Sequence, residues 1–135
     1  MSHTHTIGYT TRFQEDTEAQ VTSTATTTIT DDIEINLTPV VAASTETEYA
    51  VAIDVSELSS IFIQADQSVT INVNDLSTGS PVADHDIDLD ANVPYIWNTD
   101  STSSNPWSTD VTSLAFKNNS TTTTTTIKFR TLCGG

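Results

Sequence analysis

The chain has 135 residues, 36% hydrophobic and 16% charged, and its 4 Lys+Arg against 18 Asp+Glu give a formal net charge of -14. That length suits one domain with a two-layer core, and the low charged fraction sets it apart from disordered chains. The acidic balance excludes nucleic acid and anionic membrane surfaces as direct partners, because both require a basic patch. Many acids with few lysines also fit a surface adapted to high salt, so stability is expected to rise towards molar KCl.

Threonine makes up about a fifth of the chain, several times its usual share. Valine and isoleucine supply most of the apolar content, and β-branched residues favour strands. Cys133 is the only cysteine, so no intrachain disulfide forms. No apolar run approaches transmembrane length, and no charged start leads into an apolar stretch. The expectation is therefore entry into neither membrane nor secretory pathway by a route of its own.

In chain order, residues 3–13 alternate, with His3, His5, Ile7, Tyr9, Thr11 and Phe13 on one face. This predicts a first strand or extended arm over residues 1–13, with one sandwich domain over 14–135. Gln14–Glu18 reads as an acidic turn. A second alternation over Ala19–Thr30 turns Val21, Ala25 and Ile29 inward and the intervening threonines outward. Ile33, Ile35 and Leu37 form the next apolar face, which Pro39 ends because proline donates nothing to a ladder.

Tyr49–Val55, Leu58–Ala65 and Val69–Val73 alternate in turn, with Asp66-Gln67 as a turn. Asp75–Pro81 has turn composition. His85, Ile87 and Leu89 oppose Asp84, Asp86, Asp88 and Asp90. Val93–Asn98 is a further strand, and Thr99–Thr109 a long Ser/Asn/Pro loop carrying Trp107. Asp110–Leu132 reads as a closing hairpin: two strands joined by Asn118-Asn119-Ser120, the second starting at Thr121 and turning Thr123, Thr125, Ile127, Phe129 and Thr131 to one face. The fold expected is all-β, an antiparallel β-sandwich, jelly-roll-like, of about eight to nine strands. No segment shows the 3.6-residue period of an amphipathic helix.

The aspartate run Asp84, Asp86, Asp88, Asp90 sets carboxylates two apart on one strand face, roughly 7 Å apart, and hard oxygen ligands suit calcium or another cation. It lacks the glycine that bends a calcium loop, so a solvated strand face is the competing reading. His3 and His5 share a face and are a candidate transition-metal pair, but no third ligand is near in sequence. Trp107 is a candidate for a protein interface or for stacking on a sugar ring, against a plain role in capping the core. There is no nucleophile elbow and no glycine-rich phosphate loop, so the chain is expected not to be an enzyme. Asn36-Leu37-Thr38, Asn118-Asn119-Ser120 and Asn119-Ser120-Thr121 match the glycosylation triplet, as chance allows in a threonine-rich chain.

Taken whole, this small, acidic, threonine-rich, cysteine-poor composition resembles the virion accessory proteins of tailed viruses, capsid decoration (cement) proteins above all. The closing segment carries the local likeness: Val93–Asn98, a Ser/Asn/Pro loop, Asp110–Leu114, Asn118–Ser120 and Ile127–Leu132. The resemblance implies a jelly-roll-like sandwich at the outer capsid surface, made in the host cytoplasm and assembled as a homo-oligomer, a trimer in the first instance. It implies the major capsid protein or other virion subunits as partners. A threonine- and histidine-rich start and a Gly-Gly finish do not order themselves, so both ends are expected to be held by neighbours. The expected contact residues are His3, His5, Ile7, Tyr9, Phe13, Trp107, Arg130 and Leu132. A tail, neck or turret component and a carbohydrate-binding or adhesin module are the rival readings.

Overall fold

A computed structural model describes residues 2–13, 21–74 and 86–134. Among them are eleven strands and one short 3-10 turn, Val55–Glu57. The antiparallel all-β sandwich is the fold. The strand count exceeds the expected eight to nine; the strand without a counterpart in the sequence pattern is the two-residue Val40–Val41 after Pro39.

Strands β1 (His3–Phe13) and β2 (Val21–Asp31) pair only with each other, in an unbroken antiparallel register from His3 opposite Asp31 to Phe13 opposite Val21. They form a ribbon outside the two sheets. One sheet has the order β5 (Glu46–Ile53), β10 (Val111–Asn118), β7 (Val69–Val73), β8 (Ile87–Leu89). The other has the order β3 (Ile33–Leu37), β11 (Thr125–Cys133), β6 (Leu58–Ala65), β9 (Tyr95–Asn98), and β4 (Val40–Val41) also pairs with β11.

Period-two side chains make the core. In β7, Val69, Ile71 and Val73 are buried between half-buried Thr70 and Asn72. In β11, Thr125, Ile127, Phe129 and Thr131 are buried, alternating with exposed Thr126 and Lys128. An aromatic chain crosses between the sheets. Tyr49 meets Phe116 edge-on at 5.8 Å, Phe116 meets Phe129 edge-on at 5.8 Å, and Trp107 stacks on Phe129 at 6.5 Å. Burying an aromatic side chain contributes about 1.5–3 kcal/mol through its area, and edge-to-face pairing adds about 0.5–1.5 kcal/mol.

The closing hairpin does not form. β10 pairs with β5 and β7, whereas β11 pairs with β3, β4 and β6, so the two strands lie in opposite sheets and face each other through Phe116 and Phe129. Each is an inner strand with partners on both sides. The connection is built for this crossing. Asn118 is fully buried, and its Nδ2 donates to the carbonyls of Val41 (3.0 Å) and Thr123 (2.8 Å). Its Oδ1 accepts from the Ser120 amide at 2.9 Å. The threonine run enters the sheet only at Thr125, where Asp66 Oδ1 accepts from the Thr125 hydroxyl (2.7 Å) and the Thr126 amide (2.9 Å).

The loop between β9 and β10 is largely exposed but anchored at its tryptophans. Trp97 Nε1 donates to the Ser103 carbonyl at 3.1 Å, and the Trp107 amide donates to Asn105 Oδ1 at 3.0 Å. Asn74, at φ 61°, accepts the Thr112 amide on Oδ1 at 2.7 Å and donates through Nδ2 to the Asp110 carbonyl at 2.8 Å. Asparagine tolerates this left-handed conformation better than most residues. At the other end of the chain the Gly134 amide donates to the Glu57 carbonyl at 2.8 Å, and a Cβ at Gly134 would lie 2.6 Å from Glu57 Oε2. The exposed Glu57 carboxylate, the far end of a flexible side chain, would have to move to admit it.

Candidate functional site at the ribbon base

The ribbon has two unlike faces, as a period of two requires. On one, Thr4 and Thr6 of β1 meet Thr30 and Thr28 of β2 hydroxyl to hydroxyl, at 3.0 Å and 3.5 Å. The other face presents His3, His5, Ile7 and Tyr9. His5, Ile7 and the β2 residue Ile29 are half-buried there, so this face leans on the sandwich.

Its footing is a histidine–carboxylate contact. His3 Nδ1 lies 3.2 Å from Glu34 Oε2, and His5 Nε2 lies 3.2 Å from Glu34 Oε1. His5 Nδ1 lies 3.2 Å from Ser60 Oγ. Glu34 and Ser60 both flank Leu132 across the sheet, on β3 and β6. Leu132 continues the outward-facing set Thr126, Lys128, Arg130, yet it is fully buried. The ribbon base covers it, with β2 packed on β11 and β6.

One row further along, cover is lost. Asn36, Arg130, Phe62 and Ile96 stand abreast across β3, β11, β6 and β9. A cleft of about 550 Å³ opens there between Thr4–Gly8 of the ribbon and Phe62, Gln64, Pro94, Ile96 and Arg130 of the sheet, with His5 and Glu34 also lining it. Arg130 is half-buried, and its Nη1 donates to the carbonyls of Leu37 and Phe129, both at 3.0 Å. The guanidinium thereby ties β3 to β11 while lining the cleft. This arrangement can seat an apolar side chain or an extended segment; at its edge the Ser60 hydroxyl, fully buried, meets His5, which in turn meets Glu34.

Of the expected contact residues, His3, His5, Ile7 and Arg130 gather at this one place, and Tyr9 is 42% exposed beyond it. The Phe13 side chain lies outside the described residues. Two residues need correction. Trp107 is 2% exposed and packs on Phe129, so it presents no ring to a sugar or partner. Leu132 is 0% exposed, because its own ribbon takes the place expected of a neighbour.

In the aspartate run, Asp84 lies outside the described residues. Asp88 accepts from the Thr70 hydroxyl at 2.8 Å, and Asp90 is exposed. Among the described residues no group of three or more His, Cys, Asp and Glu is placed to hold a metal ion. Burial and the charges of Asp31 and Asp54 push the Cys133 thiol up to about 11, which leaves it protonated and unreactive. Glu34 and Ser60 went unnoticed in the sequence: a glutamate in a strand and a serine beside a serine carry no local signal, and only the ribbon's return over β3 and β6 gives them a role. No protein-family model, no curated protein and no solved structure matches the chain.

Proposed function

We propose that this chain is a structural protein of a tailed-virus virion, a capsid decoration protein that binds the assembled shell and stabilises it. The observation that carries the reading is the ribbon: two eleven-residue strands, about 36 Å long at strand rise, that leave the sandwich and pair only with each other. Its base covers Leu132, and the length beyond that base suits attachment. A shell-binding role needs no chemistry, because a protein that binds the assembled state and not free subunits stabilises assembly by mass action.

The winding of the sandwich supports the same reading, and we take it to be a jelly roll. Numbered from β3 and passing over β4, the eight strands fall in the order 1-8-3-6 in one sheet and 2-7-4-5 in the other. Every connection crosses between sheets except the one from β7 to β8. Jelly rolls are a common architecture of capsid proteins and also of lectins. The sugar-stacking residue that a lectin reading would use, Trp107, is inside the core. A tail, neck or turret position is the alternative place for the same device in a virion.

The test is cosedimentation with assembled shells and, separately, with free shell subunits. The full chain should pellet with shells alone. A chain lacking Met1–Asp31 should stay in the supernatant while keeping its β-sheet circular dichroism. Absence of the full chain from shell pellets, or equal pelleting of the shortened one, would count against the reading.

A further inference from the structure

Sheet edges invite pairing with other chains unless they are short, charged, bulged or interrupted by proline. The sandwich protects its edges in these ways. β8 has three residues, β9 has four and follows Pro94, β3 has five and stops short of Pro39, and β5 carries Glu46 and Glu48. The ribbon has no such protection. Its eleven residue pairs run without a register shift, and its strands contain no proline. Their formal charges are one cation, Arg12, and one anion, Asp31, which cancel. The net charge of -14 therefore resides in the rest of the chain. The paired strands themselves carry no net charge, so two copies can meet along them with little like-charge repulsion, the acidic Gln14–Glu18 segment lying outside the paired residues. It also needs support, since a lone two-stranded ribbon is only marginally stable and this one rests on the sandwich by its base.

We propose that two copies of this chain pair through the free edges of β1, antiparallel, about a two-fold axis at Gly8, giving one continuous four-stranded sheet. β1 is self-complementary in that register. Gly8 faces Gly8 of the partner subunit, Thr6 faces Thr10 of the partner subunit, and Ile7 faces Tyr9 of the partner subunit. The last is an aromatic–β-branched cross-strand pair of the stabilising kind, and symmetry makes it twice. It also covers Tyr9, one of the few large exposed apolar residues. The same operation on β2, centred on Thr26, sets Ala25 against Thr27 and Ser23 against Ile29, and pairs no two large apolar side chains. Gly8 leaves the axis open, with nothing within 4 Å of an added Cβ.

The inference stands apart from the virion reading, because it is tested on purified chain with no shell present. Light scattering after size exclusion should give twice the chain mass for the wild type and the single-chain mass for Tyr9→Lys, with its β-sheet circular dichroism kept. The full chain with Gly8→Cys, mildly oxidised, should form a disulfide-linked dimer about tenfold faster than Thr26→Cys, because a disulfide needs Cα atoms roughly 4.4–6.8 Å apart. The native Cys133, 3% exposed, should contribute none. A single-chain or three-chain mass for the wild type overturns the proposal, whatever the variants do. So does a Thr26→Cys rate equal to that of Gly8→Cys.

Discussion

Two threonine tracts end alike, in Ile29 on β2 and Ile127 on β11, and they lead opposite lives. Thr125 and Thr131 of β11 are fully buried, while Thr24, Thr26, Thr28 and Thr30 of β2 are exposed. β11 has partners on both sides and the second sheet beneath it. β2 has one partner and a sheet under its base only. Threonine suits any pleated surface, so composition makes both strands but does not decide what covers them. A buried threonine then needs a partner for its hydroxyl. Thr125 finds Asp66 at 2.7 Å, whereas Thr131 Oγ1 is buried with no hydrogen-bond partner among the described residues. On β2 the outward threonines bond to their neighbours across the ribbon or face solvent.

The sharpest way to break this comparison is to remove one large side chain from each region. Phe129→Ala empties the junction of Trp107, Phe116 and β11, and should cost about 3–5 kcal/mol in denaturant unfolding. Tyr9→Ala should change global stability by no more than about 0.5 kcal/mol. Equal losses would mean that ribbon and sandwich unfold as one unit. Next in size is Thr131→Val, which replaces an unpartnered buried hydroxyl with a methyl of similar shape. It should raise stability by about 1 kcal/mol, whereas the same change at Thr28 should be neutral; a loss at Thr131 would reveal a partner for its hydroxyl.

The smallest effect concerns Asp66. Hydrogen bonds from the Thr125 hydroxyl and Thr126 amide hold its carboxyl below the ordinary 3.8. A folded-state value below the unfolded one stabilises the fold above the unfolded value, and that contribution is lost as pH falls through the folded value. The melting temperature of wild type should exceed that of Asp66→Asn by a constant margin above about pH 5, and the margin should shrink below pH 3.8. A margin independent of pH would mean that the charge of Asp66 is not what fastens the start of β11.

Several strands were legible because period-two alternation is a local signal. Leu58–Ala65 and Val69–Val73 were bounded correctly, since Asp66-Gln67 breaks two strong apolar alternations. The pairing of Asp110–Leu132 was not legible. Neighbours in sequence with a polar turn look like a hairpin, and nothing local shows that Asn118 is buried and directs the chain across to the opposite sheet. Trp107 misled for a related reason. A tryptophan in a Ser/Asn/Pro loop looks exposed until the loop is seen folded back, its amide held by Asn105 and its ring on Phe129. At the candidate site, the β1 residues were found because they share one face of one strand, while their partners Glu34 and Ser60 come from distant strands.

The amino-acid sequence alone determined the all-β class, the strand-forming segments and the acidic balance, because each follows from residue type and a period of two. Tertiary structure decided which strands became neighbours, which of two similar threonine tracts was buried, that Leu132 lies under the ribbon, and that His3, His5 and Glu34 meet. Those outcomes depend on pairings between residues far apart in the chain, and backbone ladders of any two strands offer the same hydrogen bonds. Only the fit of side chains between layers distinguishes one pairing from another.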